Sequence, residues 1–295
     1  MQKRTEANKS LRLSSKNTSL ILPSEDISAD NSIISSYTSR SPLRYPGGKT
    51  RAIDYITSFF PKDIKQLISP FLGGGSIELT TAANNITVYA YDAFSPLVEF
   101  WQCLLEQPHN LANEVEKYFP LPKEDFYTLQ QTQTAFTTKL QRAAVYYVLN
   151  RSSFSGSTLS GGMSPEHPRF TQTAIQRLRD FHNPNIIVKQ ADFKISLEEH
   201  ASVFAYLDPP YLIKSKLYGK NGNAHKNFDH EGLAALLRKR DGWILSYNDC
   251  DEIRSLYEGF YLLVPNWKYG MSNDKASKEV LIFSKDFDAK RCSFG

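Results

Sequence analysis

The chain has 295 residues, 41% hydrophobic and 22% charged, enough for the core of one large domain or of a domain with an insertion. Its net charge of +4 is compatible with a nucleic-acid partner without requiring one. No apolar run reaches membrane-span length, the polar amino terminus lacks a signal-peptide pattern, and three distant cysteines (Cys103, Cys250, Cys292) suit a reduced, cytoplasmic protein.

Residues 1–40 are rich in Ser, Asn, Thr and Lys and read as a flexible tail. In Leu43-Arg44-Tyr45-Pro46-Gly47-Gly48-Lys49, Pro-Gly-Gly predicts a turn, and the periodicity of 52–60 predicts a helix after it. A strand within 63–72 then runs into Phe71-Leu72-Gly73-Gly74-Gly75, and a helix starts at Ile77. Such a glycine turn lets a nucleotide-like cofactor lie against bare backbone. The next strand, 86–91, ends at Asp92, 17 residues after Gly75, where an acid can accept hydrogen bonds from ribose hydroxyls. Glycine turn and acid fit a dehydrogenase as well as other enzymes whose cofactor carries a ribose.

Residues 95–119 read as helical, with Pro96 in the first turn. The character changes at 120. An apolar helix over 140–149 leads to Asn150-Arg151-Ser152-Ser153-Phe154-Ser155-Gly156, then to glycine turns up to Met163 and to Arg169. Arginine can fork to a guanine edge or a phosphate, and a glycine hairpin can enter a groove. A solvated loop insertion has the same composition. A strand over 185–190 ends in Ala191-Asp192-Phe193, an acid and an aromatic able to hold an adenine.

The stretch Val203-Phe204-Ala205-Tyr206-Leu207-Asp208-Pro209-Pro210-Tyr211 has the most specific chemistry. An apolar strand ends in an acid, and the prolines cannot continue a sheet ladder. The exocyclic amine of adenine or cytosine is a poor nucleophile, because its lone pair is delocalised into the ring. Asp208 and the Pro209 carbonyl, each accepting one N–H, would hold that nitrogen nearer tetrahedral. The rigid Pro209-Pro210 pair fixes the carbonyl, and Tyr211 offers a face for a flat base. A basic loop follows (Lys214, Lys216, Lys220, Lys226), then a helix over 229–239 and strands at 243–247, 261–264 and 279–283. Six scattered histidines lack metal-ligand spacing, so no metal site is expected.

DPPY after an apolar strand resembles the catalytic motif of the amino-methyltransferases. The order of PGGK turn, glycine turn, acid, insertion, Asp-Phe and DPPY resembles the Dam-type (DPPY, alpha-group) DNA adenine-N6 methyltransferases along roughly 43–284. The resemblance implies an α/β, Rossmann-like, S-adenosylmethionine-dependent methyltransferase domain (41–119 and 185–285) with a mainly helical target-recognition insertion (120–184) and a polar tail (286–295). Tyr45 and Lys49 would hold the methionine end of the cofactor. Phe71, Gly73, Gly75, Asp92, Asp192, Phe193 and Asp208 would complete its site. Asp208, Pro209, Pro210 and Tyr211 would act on a flipped adenine, with Asn150, Arg151, Phe154 and Arg169 facing duplex DNA. A cognate restriction endonuclease and a monomeric or weakly dimeric state are further expectations. The Gly-Gly-Gly turn and the Arg-Ser-Ser-Phe-Ser-Gly segment depart from the commoner family pattern, which bears on the target sequence. Cytosine-N4 or RNA-adenine methylation would use the same DPPY with a different pocket shape, and a catalytically idle DNA-binding relative would keep the same fold.

Overall fold

Period-two alternation in the strands sets the layering. The computed structural model describes residues 37–159, 161–164, 169–212, 228–265 and 279–287. Its strands are β1 (Gln66–Ser69), β2 (Thr87–Asp92), β3 (Ile186–Gln190), β4 (Ala205–Leu207), β5 (Trp243–Asn248), β6 (Tyr261–Leu263) and β7 (Glu279–Phe283). They form one sheet in the order β3-β2-β1-β4-β5-β7-β6, parallel from β3 to β5, with β7 antiparallel to both its neighbours. Leu67, Tyr206, Ile244 and Leu281 enter one apolar cluster, while Ile68, Ala205, Leu207, Leu245 and Ile282 enter the other. Both faces are therefore covered, as parallel strands require.

The first face carries α1 (Ile53–Thr57), α2 (Ser76–Ala83), α3 (Ser95–Glu106), α4 (Pro108–Glu116), α5 (Lys123–Thr132), α6 (Lys139–Ser152) and α7 (Gln172–Arg179). The second carries α8 (Phe193–Glu199), α9 (His230–Leu237) and α10 (Asp251–Leu256). No helix among the described residues is long and apolar enough to cross a membrane.

The elements follow the expected alternation, with three differences. The helix expected over 95–119 breaks at Gln107 because Pro108 opens a new one at its first turn. The strand expected within 203–211 is paired only over Ala205–Leu207. Helices α8 and α10, of seven and six residues, are too short for periodicity to announce.

The insertion shares the main core. Helix α6 begins with a capping box between Thr138 and Gln141 and packs on α3, where Tyr147 stacks on Phe100 at 5.5 Å. Arg142 forks to Glu99 of α3 at 2.7 and 2.8 Å. Hydrophobic packing thus runs across residue 120 without a break.

The insertion is also stitched to the segment before the PGGK turn. Fully buried Asn150 accepts the Arg44 N–H at 2.9 Å and donates to the Arg44 carbonyl at 2.8 Å and to Thr158 Oγ1 at 3.1 Å. Gly156, at φ +73°, comes so close that a Cβ would lie 2.3 Å from the Arg44 oxygen. Asn150→Ala leaves both backbone groups of Arg44 without these partners, at a cost of about 1–3 kcal/mol per unsatisfied group. The urea midpoint of this variant should fall clearly below that of the unsubstituted protein; an unchanged midpoint would refute the clamp.

Candidate active site

Strand order reverses at β1, whose neighbours are β2 and β4, so a crevice opens at the carboxyl ends of β1 and β4. One wall is the glycine turn. Gly73 and Gly75 sit at φ +48° and +68°. The Gly73 N–H donates to Asp92 Oδ2, and Trp101 Nε1 donates to the Gly73 carbonyl, both at 3.1 Å. Tyr45 lies on this turn: a Cβ on Gly73 or Gly74 would come within 2.9 or 2.7 Å of it. On Gly75 a Cβ would meet Trp101 at 2.9 Å. Asp92 Oδ1 also accepts the Phe94 N–H at 2.9 Å. Burial raises the Asp92 carboxyl above its ordinary range, opposed by N–H bonds from Phe94, Gly73 and Ala93.

A second wall is aromatic. Phe71 packs against Phe193 and Phe228 at centroid distances of 5.9 and 5.5 Å. Phe193 is buried among these rings, and Asp192 is exposed, capping α8 through the Lys194 N–H at 2.8 Å.

Between the walls lies an ionic cluster built from distant parts of the chain. Lys49, 3% exposed, donates to Asp208 Oδ1 and Oδ2 at 2.8 and 2.7 Å, to Tyr211 Oη at 3.0 Å and to the Gly47 carbonyl at 3.1 Å. Tyr211 donates its phenolic hydrogen to Glu279 Oε1, and Glu279 lies 3.8 Å from the Lys49 ammonium. The Tyr211 ring rests on Tyr247, 6.1 Å away and 28° from parallel. Beyond it, Asn248 fixes Leu212 by accepting its N–H at 2.9 Å and donating to its carbonyl at 3.0 Å. Among the described residues no backbone N–H donates to the Pro209 carbonyl.

Burial raises the Asp208 carboxyl; Lys49 lowers it, and Glu279 adds to the rise. Behind it in α2, buried Glu78 accepts the Ser69 hydroxyl at 2.6 Å, and burial lifts its pKa to about 7.

Tyr45, Phe71, Gly73, Gly75, Asp92, Asp208, Pro209, Pro210 and Tyr211 thus gather at the crevice, with Asp192 and Phe193 on its flank. Lys49 also arrives there, and its hydrogens go to Asp208, Tyr211 and Gly47. Two residues expected at the DNA have internal jobs. Asn150 is fully buried in the Arg44 clamp, and its amide has no surface to offer. Arg151 donates to the Arg169 carbonyl at 2.9 and 3.0 Å and to the Pro42 carbonyl at 3.3 Å. Phe154, 64% exposed, and Arg169 do face outward. Arg44, Arg151 and Arg169 lie near enough that Arg169 and Arg151 add to burial in lowering the Arg44 pKa. Among the described residues none of the three has a carboxylate partner. The lysines of 214–226 lie outside the described residues.

Sequence reasoning missed Glu279, Glu78, Asn248 and Phe228 as parts of the site. Glu279 had one signal, a single acid heading the apolar strand Glu-Val-Leu-Ile-Phe.

The chain is similar in sequence to known DNA adenine methyltransferases. The chain is 23% identical over 260 residues to the DNA adenine methylase of Vibrio cholerae, covering 81% of this chain and 92% of that one. It is 25% identical over 258 residues to the type II methyltransferase M.MjaIII of Methanocaldococcus jannaschii, covering 74% and 88%. The DNA N-6-adenine-methyltransferase of Escherichia phage P1 is 30% identical over 126 residues, 40% of this chain and 16% of that longer protein. A family model described as D12 class N6 adenine-specific DNA methyltransferase matches residues 45–271, well over half of the chain. With DPPY at the mouth of the crevice and the glycine turn beside it, the chain belongs to the D12 class N6 adenine-specific DNA methyltransferase family.

Proposed function

We propose that the enzyme methylates the N6 amine of an adenine flipped out of duplex DNA, with S-adenosylmethionine as donor and Asp208 as the acceptor that aims the amine. The observation that carries this reading is the Asp208 carboxylate at the carboxyl end of β4, held through both oxygens by Lys49, beside a Pro209 carbonyl that no described backbone N–H occupies.

The crevice suits that donor. Tyr45 and Trp101 touch the three glycines so closely that no side chain fits there, leaving bare backbone beside Asp92. Asp92 accepts the Gly73 N–H on Oδ2 and the Phe94 N–H on Oδ1, and its carboxylate keeps lone-pair capacity for a ribose hydroxyl. Asp192 uses one oxygen on the helix cap, leaving the other for an adenine amine. When bound, the cofactor supplies an electrophilic methyl group on a sulfonium.

The chain's own residues do the aiming. Asp208 and the Pro209 carbonyl accept the two amine hydrogens, pulling the lone pair out of conjugation with the ring. Tyr211, braced by Tyr247 and Glu279, stacks the extruded base, whose removal from the duplex costs about a few kcal/mol. Burial raises the Asp208 carboxyl, yet a carboxylate is still far too weak a base to deprotonate a neutral aminopurine amine. Asp208 therefore orients first and takes a proton only after the nitrogen has become cationic. Preorganised dipoles of this kind carry most of the rate.

Arg169 and Phe154, with Arg44 and Arg151 close by, form the proposed DNA face, where guanidinium charge with no carboxylate partner among the described residues favours phosphates. The type II name of one relative raises a restriction endonuclease as a further partner.

Incubation with duplex DNA and S-adenosylmethionine, followed by digestion and mass spectrometry, should yield N6-methyladenine. Asp208→Ala should lower the yield by about 100- to 1000-fold while the variant still binds DNA. N4-methylcytosine as product would move the substrate to cytosine, and full activity in Asp208→Ala would refute the assigned role. Calorimetry should show saturable S-adenosylmethionine binding, weakened in Asp92→Ala; binding of NADH alone would overturn the cofactor assignment.

A further inference from the structure

A lysine bonded to both oxygens of Asp208 creates an electrostatic difficulty. The reaction places growing positive charge on the target nitrogen, and negative charge next to it lowers the barrier. An ammonium at 2.7 Å cancels most of the field of the carboxylate that touches that nitrogen. Taken alone, Lys49 and Asp208 give a neutral pair, well oriented and poorly charged.

Glu279 supplies the missing charge. It heads β7, is 6% exposed, and lies 3.8 Å from the Lys49 nitrogen. Its Oε1 accepts the Tyr211 hydroxyl, and its Oε2 is buried with no hydrogen-bond partner among the described residues. A buried carboxylate with an unpartnered oxygen is costly to stability, and a structural lysine already satisfied by four acceptors does not require it. Its position opposite Asn248 of β5 also ties it to the strand that braces Leu212 after DPPY.

We propose that Glu279 is a positioning residue of the methyl transfer: it holds Tyr211 through its phenol and, as second anion on Lys49, keeps the cluster net negative so that Asp208 is both aimed and effective. The inference rests on the assignment of Asp208 as amine acceptor. Lys49 orients the acceptor, Glu279 offsets the charge of Lys49, and the Tyr211 hydroxyl links the two by accepting from Lys49 and donating to Glu279.

The groups that act on Asp208 are Lys49 from the PGGK turn and Glu279 from β7, while Asp208 in turn acts on Glu78 of α2, Tyr45 and Tyr211. Among them Glu279 works to raise the Asp208 pKa. Transfer needs ionised Asp208, so the acid limb of the rate profile reports that pKa. Removing the charge of Glu279 should move this limb to lower pH even as the rate falls.

The test is Glu279→Gln, which keeps an acceptor oxygen for the Tyr211 hydroxyl and deletes only the charge. Single-turnover methylation of duplex DNA across pH 4.5–8.5 should show a rate at neutral pH about ten-fold or more below wild type. Its acid limb should shift down by roughly half a pH unit or more, with cofactor and DNA affinities unchanged. An unaltered rate, or a lower rate with an unmoved acid limb, would overturn the proposal. Glu279→Asp, which retains the charge, serves as the rescue variant and as the deciding one if Glu279→Gln does not fold. Its acid limb should stay at the wild-type position, and a limb displaced downward would count against the proposal. Full activity in Asp208→Ala would instead remove the acceptor reading itself, whereas an inactive Asp208→Ala with an unaffected Glu279→Gln would remove only the role of Glu279.

Discussion

The site depends on one ion pair across 159 residues, Lys49 to Asp208. Sequestering an ammonium from water costs several kcal/mol unless paired charge and hydrogen bonds replace its hydration. Lys49 meets that condition only when the PGGK turn, the end of β4 and the head of β7 are all in place, because its partners come from those three segments. The cluster therefore forms with the completed fold, and a correctly aimed Asp208 reports that the turn and both strands have assembled.

The same logic links the insertion to the chemistry. Asn150 and Gly156 grip the backbone of Arg44, and the next residue, Tyr45, lies on the glycine turn. The segment that would meet DNA around Phe154 is thus one short stretch of chain away from the wall that would hold the cofactor. Arg151 contributes by tying the carbonyls of Arg169 and Pro42 together. Residues that look like recognition side chains in the sequence can instead set the shape from which recognition is done.

Much of this was legible from the sequence because the decisive signals are local. A strand ending in Asp-Pro-Pro-Tyr, a glycine turn after a strand, and an acid at the next strand end are short patterns with direct steric or chemical causes. Their convergence follows from parallel α/β topology, which brings strand carboxyl ends to one side. What escaped is long-range. Nothing near Glu279 in sequence says that an acid at the head of an apolar strand will face a lysine 230 positions earlier. For Asn150 the side-chain chemistry suited DNA, and only the packing reveals that the backbone of Arg44 has claimed it.

Lys49 serves either Asp208 or the cofactor, and Lys49→Met separates the two. It removes the charge and keeps much of the side-chain volume. Single-turnover methylation of duplex DNA at saturating cofactor should fall by about 100-fold or more, with S-adenosylmethionine affinity within a few-fold of wild type. A variant that regains the wild-type rate once enough cofactor is supplied would contradict the account, because Lys49 would then be a cofactor ligand and Asp208 would need no cation to hold it.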